Sequence, residues 1–254
     1  YYILMKSIWI TGASSGIGKA LAIKFANEGW QVAASARRED LLNKIAESNK
    51  NISSFPLDVT DGEKCKEIFE QIKNKLQSID ICFFSTGTWD PKKEKDIDVD
   101  QMKKVMNVNF FGTLNCIKAV EEYFREKNSG HISIVSSIAG YRGLPNSTGY
   151  GASKAALNNL AESLYFDFGR NNVRVSLISP GFIKTQMTDK NQFKMPFLKT
   201  AEYAANKIYN GLINGSSFEI DFPKELTLIL KFLKILPDSL YFKIIKKLTK
   251  YQKR

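Results

Sequence analysis

Histidine is almost absent from this chain: its 254 residues hold one, His131. One imidazole by itself builds neither a histidine-based metal site nor a Ser-His-Asp triad. It opens a predicted strand, where a structural role is expected. Cysteine is scarce too. Cys65, Cys82 and Cys116 stand far apart in the sequence without metal-ligand spacing. They read as reduced, buried small hydrophobes of a cytoplasmic protein rather than as a disulfide framework, and no metal is expected. No apolar run reaches the ~18 residues that a membrane span needs. No secretory signal is apparent either, because Tyr1 to Lys6 run straight into a strand that the fold needs. Met5 reads as the natural start, with Tyr1 to Leu4 an extension. Internal repeats, low-complexity linkers and composition breaks are missing before residue 222, so nothing divides that stretch into smaller domains.

What is present is a chain long enough for one large domain with a substantial core. Its apolar share of 43% and charged share of 25% are those of a globular protein. The net charge of +11 is unusual, and it is unevenly placed.

Short apolar runs alternate with amphipathic stretches along the chain. Strands are expected at Ser7–Thr11, Gln31–Ala36, Ile52–Leu57, Ile79–Phe84, His131–Ser136, Val173–Ser179 and Ser217–Asp221. Helices are expected at Lys19–Asn27, from Asp61 to about Leu76, along Asp100–Lys127 as one long helix, from Tyr150 to about Arg170, and from Thr200 to about Asn214. Asp61 and Thr200 suit N-caps. Strands alternating with helices imply an α/β fold with a doubly wound parallel sheet. Trp89–Asp98 reads as a polar loop. Gln186–Leu198 lacks clear periodicity and reads as a mobile segment covering a substrate.

Two stretches carry chemistry. In Gly12-Ala13-Ser14-Ser15-Gly16-Ile17-Gly18, a glycine-rich turn joins a strand to a helix. Such a turn lets a phosphate approach backbone N–H groups at a helix N-terminus. In Ser137 to Lys154, the residues Tyr150 and Lys154 are four apart and share one helical face. A phenol has an ordinary pKa of ~10, and a neighbouring cation favours its ionised form. Ser137, Tyr150 and Lys154 therefore suit one proton-transfer site.

From these motifs the sequence resembles the short-chain dehydrogenase/reductase family. Thr11 to Gly18 matches its Thr-Gly-x-x-x-Gly-x-Gly cofactor motif, and the match continues to about Thr185. The resemblance implies a Rossmann fold and an oxidoreductase in which Tyr150 exchanges the proton, Ser137 binds the reacting oxygen and Lys154 tunes Tyr150. Asn109, in Val108-Asn109-Phe110-Phe111-Gly112, would hold a water that passes protons toward the lysine. Asp58 and Val59 would lie near the adenine. Pro180, Gly181, Ile183 and Thr185 would meet the nicotinamide. Phe84-Ser85-Thr86-Gly87 keeps only Gly87 of the family's usual Asn-Asn-Ala-Gly. After the second strand an acidic residue would take a ribose hydroxyl, whereas Ala36 is followed by Arg37 and Arg38, which suit a 2′-phosphate. NADP(H) is the expected cofactor.

The chain leaves the family's usual pattern after Asp221. Residues 1–222 read as the Rossmann-fold oxidoreductase domain, including substrate loop 186–198, and residues 223–254 as a C-terminal helical segment. In Leu226–Leu236, Thr227, Lys231 and Lys234 form a narrow polar stripe. After Pro237, Leu240, Tyr241, Ile244, Ile245 and Leu248 recur at helical spacing, with lysines mainly on the other face. From Lys224 onward there are nine basic and two acidic residues, a net +7 of the total +11. This basic amphipathic tail suits an anionic membrane surface. It equally suits a cover over the enzyme's own apolar surface or over the second subunit of a homodimer. Nucleic acid is not expected, because the lysines are interleaved with aliphatics.

The expected activity is NADP(H)-dependent, reversible reduction of a lipophilic aldehyde or ketone, in the cytoplasm or peripherally at a membrane. Two alternatives stand beside it: a 3-oxoacyl-[acyl-carrier-protein] reductase, and a non-catalytic dinucleotide-binding protein associated with membranes.

Overall fold

The computed structural model describes residues 6–89, 97–191 and 194–249. Met5, most of the Trp89–Asp98 loop, part of the 186–198 segment and the last basic residues lie outside them. Seven strands form one parallel sheet: β1 (Ser7–Thr11), β2 (Gln31–Ala36), β3 (Ile52–Pro56), β4 (Ile81–Phe84), β5 (Gly130–Val135), β6 (Val173–Pro180) and β7 (Glu219–Phe222). Their spatial order is β3-β2-β1-β4-β5-β6-β7. The fourth strand is shorter at its start than the sequence suggests, because Ile79 serves the turn: its N–H donates to the Tyr123 hydroxyl at 2.9 Å.

The central strands are buried on both faces, as a sheet covered by helices requires. Trp9, Ala33, Cys82 and Ile132 face one apolar layer, while Ile8, Ile10, Val32, Ala34 and Phe83 face the other. The first layer is closed by α3 (Gly62–Leu76), α5 (Gly112–Lys127) and α6 (Thr148–Gly169); the second by α1 (Gly16–Asn27), α2 (Glu39–Ser48) and α7 (Ala201–Asn214). Asp61 and Thr200 cap α3 and α7, accepting from the N–H groups of Lys64 and Tyr203. The chain order reverses between β1 and β4, so a crevice opens at their C-terminal ends.

The long helix expected over residues 100–127 is interrupted. Helix α4 (Val99–Met106) leads into a π-helical turn, Asn107–Phe111, and then into α5. A π turn adds a residue to the helical circuit and re-aims the side chains within it. Here it turns Asn109 fully into the protein.

His131 joins β5 to β6, with its Nε2 2.8 Å from Ser176 Oγ. Burial, with a smaller contribution from Arg174, pulls its pKa down to about 3. The three thiols are free and buried, and Cys65 and Cys116 meet at 3.9 Å between sulfurs.

Beyond β7, α8 (Lys224–Lys234) and α9 (Asp238–Thr249) form a small apolar cluster of their own, with Leu233, Tyr241 and Ile245 at its centre. It packs on Leu144, in the connection between β5 and α6. Only one end of the polar stripe of α8 faces water, at the exposed Lys234. Thr227 is completely buried, and Lys231 turns toward β7, reaching Glu219 at 2.7 Å and Asp221 at 3.2 Å.

Candidate active site

The first wall of the crevice is the turn between β1 and α1. Gly12 has φ +71°, and a β-carbon there would stand 2.9 Å from the Ser85 carbonyl. One at Gly18 would stand 2.4 Å from Gly12 O. Only glycine permits both the left-handed turn and this close helix packing. Ser85 replaces a usual family residue, and its side chain still has a task. Its hydroxyl donates to Thr11 O at 2.6 Å, and its N–H donates to Thr11 Oγ1 at 3.2 Å, stitching the ends of β1 and β4 together. Thr86 Oγ1, on the same wall, is buried without a partner. The glycine cradle, the N-terminus of α1 and this unpartnered hydroxyl fit a bound dinucleotide.

A cavity of about 300 Å³ runs along this wall. With one exception, every catalytic and cofactor residue expected from the sequence lines it; Asn109 lies behind the lining. Of the two arginines, Arg38 is the one folded over the turn. Its guanidinium donates to Ser14 Oγ at 3.0 Å and Ser15 Oγ at 2.9 Å, with Gln186 Oε1 at 3.3 Å. Arg37 is exposed and stands 3.9 Å from Asp58. Asp58 itself closes a local turn, accepting from the N–H and hydroxyl of Thr60.

The reacting groups converge through backbone packing. After β5, Ser137 caps a short 3₁₀ turn, Ile138–Gly140, its Oγ accepting from Ala139 N–H at 3.1 Å. That turn lies against α6: a β-carbon at Gly140 would stand 2.8 Å from the Lys154 carbonyl carbon. Asn158 donates to Gly140 O at 2.9 Å, and Ser136 donates to Lys154 O at 3.0 Å. These contacts bring Ser137 beside the helix that carries Tyr150 and Lys154.

Lys154 is almost wholly buried, and its Nζ donates to Val135 O at 2.8 Å. The ammonium stands 5.7 Å from the centre of the Tyr150 ring. Burial pulls its pKa down to about 8, because the charged form loses water. Trp89 packs against Tyr150, with ring centres 5.3 Å apart and the planes tilted by 31°. Gly87 separates Lys154 from Asn109: a β-carbon there would lie 3.8 Å from Nζ and 3.6 Å from Asn109 Oδ1. The Asn109 side chain is fully engaged. Oδ1 accepts from Thr88 N–H at 2.7 Å, and Nδ2 donates to Thr88 O at 3.1 Å and Ser153 Oγ at 3.0 Å.

The opposite wall runs from Pro180 to Thr188. Ile183 is buried and bridges to Lys199, while its carbonyl accepts from the Thr188 hydroxyl at 2.7 Å. Thr185 N–H donates to the same hydroxyl at 2.9 Å. Part of the aperiodic segment is thus ordered around Thr188. Sequence reasoning missed Thr188, Trp89, Ser136 and Ser153. Serine and threonine are too common to signal such roles, and Trp89 stands among charged residues that read as a loop.

Among the described residues no cluster of side chains suits a metal ion, and no helix is long and apolar enough to cross a membrane. An uncharacterized oxidoreductase of Myxococcus xanthus is 32% identical over 236 residues, 91% of this chain and 93% of that protein. The structure of ElxO with NADP bound is 28% identical, with a TM-score of 0.74 over 85% of this chain and 97% of that one. A short-chain dehydrogenase/reductase of Burkholderia phymatum in complex with NAD shares the fold, with 20% identity and a TM-score of 0.78 over 91% of this chain and 93% of that one. A family model described as short chain dehydrogenase matches residues 6–196, which hold the whole crevice from Gly12 to Thr188, and the chain belongs to that family of oxidoreductases.

Proposed function

We propose that this oxidoreductase uses NADP(H) to reduce a lipophilic aldehyde or ketone to its alcohol, reversibly, in the reducing cytoplasm. The observation that carries the chemistry is the buried Lys154 ammonium beneath the Tyr150 phenol, in a cavity that Ser137 also lines. The cofactor, when bound, supplies the hydride to the carbonyl carbon. Tyr150 donates the proton to the carbonyl oxygen, and takes it back in the oxidative direction. Ser137 Oγ accepts from Ala139 N–H, which leaves its own hydrogen free to bond that oxygen as charge develops. Lys154 spends one hydrogen on Val135 O and directs its charge at the phenol, favouring phenolate. With a pKa of about 8, it still carries that charge at neutral pH.

Asn109 acts as a positioning residue that locks the Thr88 segment against the π turn. Its carbonyl accepts from the Thr113 hydroxyl at 2.8 Å. A carbonyl has a second lone pair, and we assign that to the water of the proton route.

The phosphorylated cofactor is supported by Arg38, which with Ser14 and Ser15 forms a cationic, hydroxyl-bearing corner beside the β2 end. ElxO, the NADP-bound relative, is consistent with this choice. The lipophilic substrate is supported by the exposed apolar side chains of the C-terminal helices.

The test is a panel of long-chain and short-chain aldehydes and ketones, with 3-oxoacyl thioester on acyl carrier protein as a further arm. Loss of reduced-nicotinamide absorbance is followed for wild type and Tyr150→Phe. Wild type should turn over the long-chain carbonyls, and the variant should be ~10²–10⁴-fold slower. Equal rates for both proteins sink the mechanism. Turnover confined to the carrier-protein thioester transfers the reading to an acyl-carrier-protein reductase. NADPH binding without any turnover favours a binding protein.

A further inference from the structure

Single exposed leucines are ordinary on protein surfaces, but a contiguous exposed apolar face marks an interaction site. Helix α8 has such a face. Leu228, Ile229, Phe232 and Ile235 lie on one side at helical spacing, exposed by 62%, 47%, 61% and 77%. The opposite side of the same helix is also apolar, and Leu226 and Leu233 bury it. Glu225, the acid on the outer side, is paired with Lys199 at 4.0 Å. Helix α9 adds exposed Lys243, Lys246 and Lys247, beside exposed Phe242 and Leu248.

We infer that the outer surface of α8 and α9 docks on an anionic lipid bilayer. Two features favour lipid over a second copy of this chain. Among the described residues, Lys234, Lys243, Lys246 and Lys247 are exposed on these helices, while the acids Glu225 and Asp238 pair with Lys199 and Arg142. In a two-fold contact the same patch meets itself, so this charge would oppose itself. An anionic lipid surface complements it, while the apolar side chains enter the boundary between headgroups and acyl chains.

The docking surface is joined to the reaction centre on both sides. Arg142, five residues after Ser137, holds the end of α8. Its guanidinium donates to the carbonyls of Leu233 and Lys234 at 3.2 Å and Leu236 at 2.8 Å, pairs with Asp238, and stacks 3.9 Å from the Tyr241 ring centre. The Tyr241 hydroxyl donates to Gly143 O at 2.7 Å. At the other end of α8, Leu226 and Pro223 pack so closely on Gly181 that a β-carbon there would be 3.0 Å from each. Docked helices therefore hold the Ser137–Tyr150 connection and the Pro180–Gly181 wall next to the membrane. That places a membrane-dissolved carbonyl compound near the site, a consequence that rests on the proposed reductase activity. The docking itself does not.

The full chain is sedimented with vesicles of phosphatidylcholine containing phosphatidylglycerol, and with phosphatidylcholine alone. Wild type should pellet with the anionic vesicles, and salt should weaken this. Phe232→Ser with Ile235→Ser should bind at least about tenfold more weakly, and Lys243→Gln with Lys246→Gln and Lys247→Gln should lose the preference for anionic lipid. Phe232→Ser alone, a milder change, should fall between. NADPH binding, followed by fluorescence, should be unchanged in all three variants and shows that they are folded. No pelleting of wild type, or equal pelleting of folded variants, overturns the inference. So does a serine variant that turns a dimer into a monomer by light scattering while vesicle binding stays intact. A failed carbonyl panel with intact vesicle binding refutes the reductase reading and leaves the docking in place.

Discussion

The Ser137–Lys154 block and the α8–α9 hairpin depart from the ordinary rule of polar outside and apolar inside in opposite directions. In the first, Lys154, Ser137 and Ser153 are enclosed in the protein. In the second, large apolar side chains stand in solvent around a cluster of lysines. Both arrangements cost stability in isolation: a buried charge loses water, and exposed apolar surface keeps it ordered. Departures of this kind mark places where a fold serves a ligand rather than itself. The sign of the departure says where the ligand is, inside the first region and outside the second.

The largest expected effect breaks the first half of this comparison. Replacing Lys154 with methionine should lower turnover by about 10²–10⁴-fold, since the phenol loses the cation that makes it a usable acid and base. The same change should stabilise the cofactor-free protein at pH 7. The depression from 10.5 to about 8 corresponds to roughly 3 kcal/mol held against the charged form. The sign follows from proton binding: between about pH 8 and 10.5 the unfolded chain holds a proton that the folded chain has released. Wild-type stability therefore gains from this group as pH rises through that window, and below it the cost is fully present. Denaturant unfolding of both proteins at pH 7 and pH 10 checks this. The advantage of Lys154→Met should shrink at the higher pH; an advantage that is constant or absent refutes the burial argument.

Next in size is the corner at the cofactor's far end. Arg38→Ala should weaken NADPH by about 10–100-fold and change NADH little, because charge-assisted hydrogen bonds contribute about 1.5–3 kcal/mol. Arg37→Ala should do less, since its guanidinium stands 3.9 Å from Asp58 whereas it is Arg38 that bonds Ser14 and Ser15. Calorimetric titration with both dinucleotides separates the two. Equal losses for NADPH and NADH refute the phosphate corner and leave Arg38 as a brace for the turn.

How far the sequence reaches differs between the two regions for a physical reason. The glycine turn and the Tyr150–Lys154 spacing are local, and local geometry is what a sequence displays. The meeting of Ser137 with that pair is not local. It depends on Gly140 lying flat against the Lys154 backbone, and nothing in the spacing shows that contact. Arg37 and Arg38 are equivalent as letters; only the course of the chain after β2 sends the second one to Ser14 and Ser15. The helix after Asp221 is legible as a helix, but its facing is not. A polar stripe ordinarily turns to water, yet Thr227 is buried and Lys231 only partly exposed. In the structure Glu219 and Asp221 sit on β7 and attract Lys231 inward, which turns the apolar side out. The α4–α5 interruption is hidden for another reason: one added residue shifts the helical phase once, and the segments on either side each keep ordinary helical spacing.

Arg142 ties the two regions together, and it offers the finest test of their difference. Its side chain bonds three carbonyls at the end of α8 and stacks on Tyr241, but it does not line the cavity. Arg142→Met keeps some of the stacking volume and removes every hydrogen bond. The bond to Lys234 O is exposed and the other two are part-buried, so the net cost is moderate, about 1–3 kcal/mol. That energy should fall on local opening of α8 and α9, since the hairpin has only a small apolar cluster of its own. Hydrogen exchange in residues 226–245 should accelerate by about 5- to 150-fold, while exchange in β1, β4 and β5 stays as in wild type. Reduction of a short, water-soluble carbonyl should change little, because Ser137 is still held by Gly140 and Asn158. Turnover of a long-chain carbonyl presented in anionic vesicles should fall further. If both substrates lose equally, the hairpin is a brace for the catalytic block. If neither does, the two regions are independent in spite of their contact.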